Sequence, residues 1–260
     1  MLWDSHCHLD PDVYGSDAAV DAVVARAVAA GVTEMITIGS GYGLRGARSA
    51  AVVSARHDNV WYTAGVHPHE AKIWTDEVRD ELASLATDPN CVAIGEMGLD
   101  FHYDLSPRDV QRQVLRDQIQ LALEVSQPIV IHDRSAGTET LEILMEEGAF
   151  AGNVVWHCFG GDPEYMRQIV DAGGYISIPG IVTFKNGQTT RDVAAAVPAN
   201  RLLIETDSPY LTPVPFRGSQ NEPARVVHVA EKVAALRQLS LGELASITAE
   251  NTRRFYKITS

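Results

Sequence analysis

The sequence predicts a (β/α)8 barrel, on three observations. Short apolar runs recur at intervals of about 20 to 40 residues, eight in all. Amphipathic helical patterns fill the gaps between them. The length of 260 residues matches the roughly 250 that one such barrel takes. Strands alternating with helices point to a parallel sheet, and eight strands close a barrel. An open doubly wound sheet is the alternative.

The predicted strands are residues 2–6, 33–38, 60–66, 91–95, 129–132, 154–157, 175–178 and 202–205. Most are short, rich in Val and Ile and bounded by Gly, Pro or Asn, as buried parallel strands are. Ser16 reads as the N-cap of a helix reaching Ala30 and closed by Gly31. Further helices are expected over 44–56, 76–86, 107–125, 139–147, 163–172, 190–196, 223–237 and 241–256. No Gly/Ser-rich linker or repeat interrupts the pattern, so residues 1–260 read as a single domain. The least regular stretch, 207–221, carries Pro209, Pro213, Pro215 and Gly218 and is expected to loop over the barrel mouth.

A chain this long buries a sizeable core without disulfides or a structural metal, so a bound metal would serve chemistry. Cys7, Cys91 and Cys158 are odd in number and scattered, which reads as reduced thiols. The first residues lack the basic and apolar regions of a signal peptide, and no apolar stretch approaches 18 residues. The cytoplasm is the expected location, with no membrane association and no obligate protein partner. The net charge of −13 argues against a nucleic-acid-binding module with a broad basic face. It leaves room for a phosphodiester substrate at one locally positive cleft.

The chemistry lies in where the ligand-type residues fall. His6 and His8 end the first predicted strand, Glu96 the fourth, His132 the fifth, His157 the sixth and Asp207 the eighth. The C-terminal strand ends of a barrel converge on one mouth, so these distant residues are expected in one pocket. The His6-Cys7-His8 spacing sends both imidazoles to one face and Cys7 to the other. Taken singly, each has a plain reading: a core histidine for His132 or His157, an ion-pair partner for Glu96, a helix cap for Asp207. Together they suit zinc, manganese or nickel better than calcium, and magnesium stays open. Six ligands exceed what one catalytic zinc needs; two divalent ions sharing Glu96 as a bridging carboxylate would use them all. Such a pair would hold a hydroxide and polarise a scissile bond.

At these motifs the chain resembles the TatD-related metal-dependent hydrolases of the amidohydrolase superfamily, almost end to end. The matching segments are Asp4-Ser5-His6-Cys7-His8-Leu9-Asp10, Gly65-Val66-His67-Pro68-His69, Ala93-Ile94-Gly95-Glu96-Met97-Gly98-Leu99-Asp100, Pro128-Ile129-Val130-Ile131-His132, His157-Cys158-Phe159, Leu203-Ile204-Glu205-Thr206-Asp207-Ser208-Pro209-Tyr210-Leu211 and Asn221-Glu222-Pro223. The resemblance implies a metal-dependent, deoxyribonuclease-like enzyme using the same six ligands, with Glu96 between two metals. Related branches often place a carboxylated lysine at the fourth strand, where this chain has glutamate. Two positions depart from the family pattern. Ser135 stands where His-x-Arg-Asp would continue with aspartate, and Gly160 where His-Cys-Phe-Ser-Gly has serine. Both lie beside ligands and bear on substrate preference rather than metal binding.

Arg134 is a candidate phosphate clamp, its plain alternative an ion pair on the rim. Lys185 is a similar candidate after the seventh strand. His67 is expected to orient substrate or support the ligands, and Glu205 to accept a hydrogen bond from one. His69 reads as a loop residue. Arg217 and Asn221 read equally as mouth or surface residues, His57, His102 and His228 as structural or exposed. Phe101 and Tyr103 either stack on a base or pack at the rim. The expected reaction is in-line attack on a phosphodiester by the bridged hydroxide, with Asp207 taking its proton and Arg134 and Lys185 holding the flanking phosphate. Single strands or DNA ends are the expected substrates. A metal-dependent ester hydrolase such as a D-aminoacyl-tRNA deacylase is the second reading, and a non-catalytic metal-binding protein the third. No Gly-x-Ser-x-Gly elbow supports a serine nucleophile.

Overall fold

The computed structural model describes residues 1–259. Its strands are β1 (Leu2–Cys7), β2 (Val32–Gly39), β3 (Val60–Ala64), β4 (Cys91–Asp100), β5 (Ile129–Arg134), β6 (Val154–Trp156), β7 (Tyr175–Ile178) and β8 (Leu202–Ile204). They pair in sequence order from β1 to β8, every neighbour parallel. The ring is drawn together at its C-terminal rim: Asp207 N donates to His6 O at 3.0 Å and His8 N to Ser208 O at 2.7 Å. A doubly wound sheet reverses its strand order and keeps two free edges. The (β/α)8 barrel is therefore the architecture.

The helices are α1 (Pro11–Tyr14), α2 (Asp17–Ala29), α3 (Leu44–Arg56), α4 (Asp76–Leu85), α5 (Arg108–Glu124), α6 (Thr138–Glu146), α7 (Pro163–Asp171), α8 (Gln188–Ala196), α9 (Val226–Arg237) and α10 (Leu241–Phe255). Ser16 caps α2 as expected, its hydroxyl accepting from Ala19 N. The helix expected over 223–237 opens instead with a 3₁₀ turn at Pro223–Arg225 before α9. None of the helices among the described residues is long and apolar enough to cross a membrane.

Strand periodicity sends the buried side chains to two faces, and the core forms three clusters among the described residues. Ile36, Val130, Val155 and Leu203 form one buried cluster with Phe255 and Tyr256 from the end of α10. Their immediate neighbours Met35, Ile129, Ile131, Val154, Leu202 and Ile204 belong to another, which includes residues of the surrounding helices. Alternate side chains leave a strand on opposite faces, and here both faces are covered. The apolar runs are continuous for that reason.

β4 departs most from the sequence expectation. It runs five residues past Gly95, to Asp100, so Glu96 lies inside the strand and not at its end. Gly95 and Gly98 are the reason, because they look like terminators yet permit a close approach. Their φ values are +139° and +151°, and a Cβ on Gly98 would lie 1.8 Å from His132 O. Only glycine fits there. The β4–β5 register shifts between Ile94 and Met97, an irregularity that surrounds Glu96.

Candidate metal centre

The rim gathers the six predicted ligands. β1 delivers His6, and His8 follows it directly; His132 lies on β5, His157 just past β6, and Asp207 three residues past β8. Glu96 is at the middle. Its Oε1 is 2.7 Å from His157 Nε2 and 2.8 Å from His132 Nδ1. Its Oε2 is 3.8 Å from His6 Nε2 and accepts from Ser40 Oγ at 3.4 Å. Asp207 Oδ1 lies 3.7 Å from His6 Nε2 and 3.5 Å from His8 Nε2. His6 and His157 stack with ring centroids 3.9 Å apart. Cys7 turns away and donates to Ile36 O, as the spacing predicted.

Among the described residues, four groups have ligand-type atoms within 4.8 Å of one another: His67–His69–His132, His6–His157–Glu205, His6–His8–Glu96 and Glu96–His132–His157. The last two share one residue, Glu96, which joins His6 and His8 in one and His132 and His157 in the other. Burial opposes charge on Glu96, but the imidazoles of His157, His67 and His132 outweigh it and hold the carboxyl well below its usual range. Burial likewise opposes protonation of His157, yet Glu96 and Glu205 raise it well above the ordinary histidine value. His6 is pushed the other way, by burial and by His157. Both ring nitrogens of His6, Nδ1 of His157 and Oε2 of Glu205 are buried without a protein partner. An orphaned buried polar group costs about 1–3 kcal/mol. Imidazoles and carboxylates converging this closely fit divalent cations, which would take the place of the histidine protons and satisfy several of these groups at once.

A surrounding layer of residues holds these groups in place. Glu205 is buried, accepts from Cys158 N at 2.6 Å and lies 3.5 Å from His157 Nδ1. Asp4 accepts from Thr206 Oγ1 at 2.6 Å and Thr206 N at 3.0 Å, tying β1 to the segment that carries Asp207. Burial raises its carboxyl to about 8 despite those bonds. Asn221, expected at the mouth or surface, is buried and donates to Thr206 O and Tyr210 O. It braces the loop.

His69 requires a correction. It reads as a loop residue in the sequence, but it lies in a 3₁₀ helix, Pro68–Ile73, with Nε2 2.7 Å from Asp100 Oδ2. The same oxygen is 3.2 Å from His132 Nε2, so Asp100 can fix the His132 tautomer with Nδ1 facing Glu96. Asp100 was not singled out in the sequence at all. The available signal was the second His-x-His, His67-Pro68-His69. His67 Nε2 is 3.5 Å from Glu96 Oε1 while its Nδ1 accepts from His69 N at 3.1 Å. Burial lowers its pKa to about 4.

The outer candidates divide. Arg134 is exposed and lies over the Tyr103 ring, 4.7 Å from its centroid, in place of a rim ion pair. Lys185 is exposed after β7, and no hydrogen bond or ion pair joins its ammonium to the cluster among the described residues. Arg217 stacks on Phe184 and donates to Thr212 O. His57 pairs with Asp21 and His228 with Glu231, and His102 is exposed. Ser135 has a φ of +60°, a left-handed conformation that aspartate adopts more readily than most residues. At Gly160 a Cβ would meet only Cys158 O, at 4.0 Å, so packing leaves room for a side chain.

Comparison with known proteins agrees with the geometry. The family described as TatD related DNase matches residues 3–257. The metal-dependent hydrolase YabD of Bacillus subtilis is 42% identical over 258 residues, covering 99% of this chain and 100% of that protein. The 3'-5' ssDNA/RNA exonuclease TatD of Salmonella typhimurium is 37% identical, covering 99% of each. Among solved structures, the TatD homologue YJJV of Escherichia coli K12 superposes with a TM-score of 0.90 at 26% identity, covering 99% of this chain and 98% of that one. With eight parallel strands in a barrel, convergent histidine and carboxylate groups, and a family match along nearly its whole length, the chain belongs to the TatD-related DNase family of metal-dependent hydrolases.

Proposed function

We propose that this enzyme hydrolyses phosphodiester bonds at the ends of single-stranded DNA or RNA, using two divalent ions. His6, His8, Glu96 and Asp207 would hold one ion, and Glu96, His132 and His157 the other. The observation that carries this reading is the position of Glu96, whose two oxygens face different histidines. The substrate class is supported by the exonuclease named among its relatives. Ions bound there supply Lewis-acid polarisation of the phosphoryl group.

The chain's own residues do the rest. Asp207, open to the mouth beside His8, orients the attacking water and accepts its proton at Oδ1. His67 stays neutral and turns Nε2 toward Glu96, where its N–H donates to a phosphoryl oxygen. Arg134, lifted on Tyr103, holds the flanking phosphate through its forked guanidinium, with Lys185 as a more distant cation. A surface of net charge −13 disfavours long duplexes and leaves recognition to this one cleft.

The test is an assay of metal-reconstituted protein on single-stranded DNA, RNA, duplex DNA and aminoacyl-tRNA. Release of nucleotides from single-stranded ends is expected. Ester cleavage of aminoacyl-tRNA without any phosphodiester cleavage would overturn the proposal.

A further inference from the structure

Two tyrosines stand at the edge of the metal centre in a manner that core packing does not explain. Tyr42 is 54% exposed and Tyr210 57% exposed. They line one cleft, together with His8, Asp10 and Ser40. The cleft floor is part of the centre itself: His8 faces Asp207, Ser40 donates to Glu96 Oε2, and Tyr210 meets the His8 ring edge-on with centroids 6.1 Å apart.

Tyr42 is held out by its backbone. It lies between β2 and α3 in Gly41-Tyr42-Gly43, all three at positive φ, with Tyr42 at +56°. A bulky residue in the left-handed region is uncommon and strained. The exposed ring offsets little of that strain through burial. Arg45 covers Tyr42 at 4.9 Å from its centroid, but its guanidinium is paired with Asp12 at 2.5 Å. Among the described residues no lysine or arginine lines the cleft itself, so it presents aromatic rings and apolar side chains and not a phosphate site. Planar, uncharged π-surfaces suit this lining, and stacking on aromatic side chains accommodates every base.

We propose that the cleft between Tyr42 and Tyr210 is a nucleobase subsite, holding the base of the terminal nucleotide when a single-stranded end lies at the metal centre. The proposal rests on the nuclease reading for its substrate, and adds how the strand end is gripped. The phosphate is left to the ions and to Arg134 across the mouth, and the tyrosines hold the base.

The experiment uses the metal-loaded, full-length protein. Calorimetry compares 2′-deoxyadenosine 5′-monophosphate with 2-deoxyribose 5-phosphate, and a short single-stranded oligonucleotide with the same oligomer ending in an abasic residue. The base-bearing ligand of each pair should bind at least about tenfold tighter, as expected for stacking of one base. Tyr42→Ala and Tyr210→Ala should each remove most of that preference while keeping wild-type metal content; Tyr42→Phe and Tyr210→Phe should retain it. Equal weakening of base-bearing and abasic ligands by the alanine variants would overturn the proposal, as would a wild type without base preference. A preference for the free monophosphate that is absent from the oligomers would overturn the strand-end assignment. Binding needs no turnover, so the two readings fail separately. Strands cut without base preference defeat the subsite alone, whereas base preference without strand cutting defeats the nuclease reading alone.

Discussion

Replacing Glu96 by glutamine keeps the size of the side chain, removes its charge and turns one acceptor oxygen into an NH2 donor. Glu96 Oε1 is 2.7 Å from one imidazole nitrogen and 2.8 Å from another. Hydrogen bonds to charged groups contribute about 1.5–3 kcal/mol and neutral ones about 0.5–1.5. Neutralising the carboxyl therefore removes roughly 1–1.5 kcal/mol from each contact, about 2–3 kcal/mol in all. That corresponds to a loss of about 30- to 150-fold in whatever affinity the charge supports. It is a lower bound, since a divalent ion interacts with carboxylate more strongly than an imidazole does. The assay is elemental analysis after dialysis against graded chelator. Wild type should retain close to two ions per chain, and Glu96→Gln should lose both together. His8→Ala, outside the Glu96–His132–His157 group, should lose one and keep the other. Two ions held by Glu96→Gln with wild-type affinity would show that Glu96 is not the shared ligand.

Arg134→Ala should raise the KM for a short oligonucleotide about 12- to 150-fold, the equivalent of roughly 1.5–3 kcal/mol for a charge-assisted hydrogen bond, with metal content unchanged; unchanged KM would return Arg134 to the rim. The salt dependence of binding should be shallow, about −0.7 per phosphate neutralised for roughly two or three contacts, and a slope matching six or more would reveal a basic track on the surface. Gly98→Ala should lower the Tm by roughly 5–15 °C, from a glycine-only backbone conformation and a Cβ forced into a strand carbonyl. Gly173→Ala, also at positive φ but with nothing within 4 Å of the added Cβ, should shift it far less; calorimetric scans of the two compare sterics with backbone preference. Metal at about 100 times its Kd should stabilise the protein by about 2.7 kcal/mol per site, read as a rise in Tm that Glu96→Gln abolishes.

Much of this molecule is determined locally. Residues near the strands' C-terminal ends share one mouth in any (β/α)8 barrel, so strand positions read from the sequence were enough to group His6, His8, Glu96, His132, His157 and Asp207, although Glu96 lies inside β4 and Asp207 three residues past β8. Buried parallel strands are apolar on both faces, and a capped helix starts at its Ser or Thr, so their positions too are written in short windows such as Ser16 before α2. What needed the tertiary structure are pairings between segments with no local signature. Asp100 holds His132 and His69 from a strand that two glycines had disguised as ended, and Asp4 binds Thr206 some two hundred residues away. Arg134 finds an aromatic ring instead of an acid, and Tyr42 and Tyr210 become neighbours only when β8 returns beside β1. A hydrogen bond or a stacked ring depends on distance to within an ångström. Side-chain type and spacing determine which face a residue takes; only the closed barrel determines which other residue it meets there.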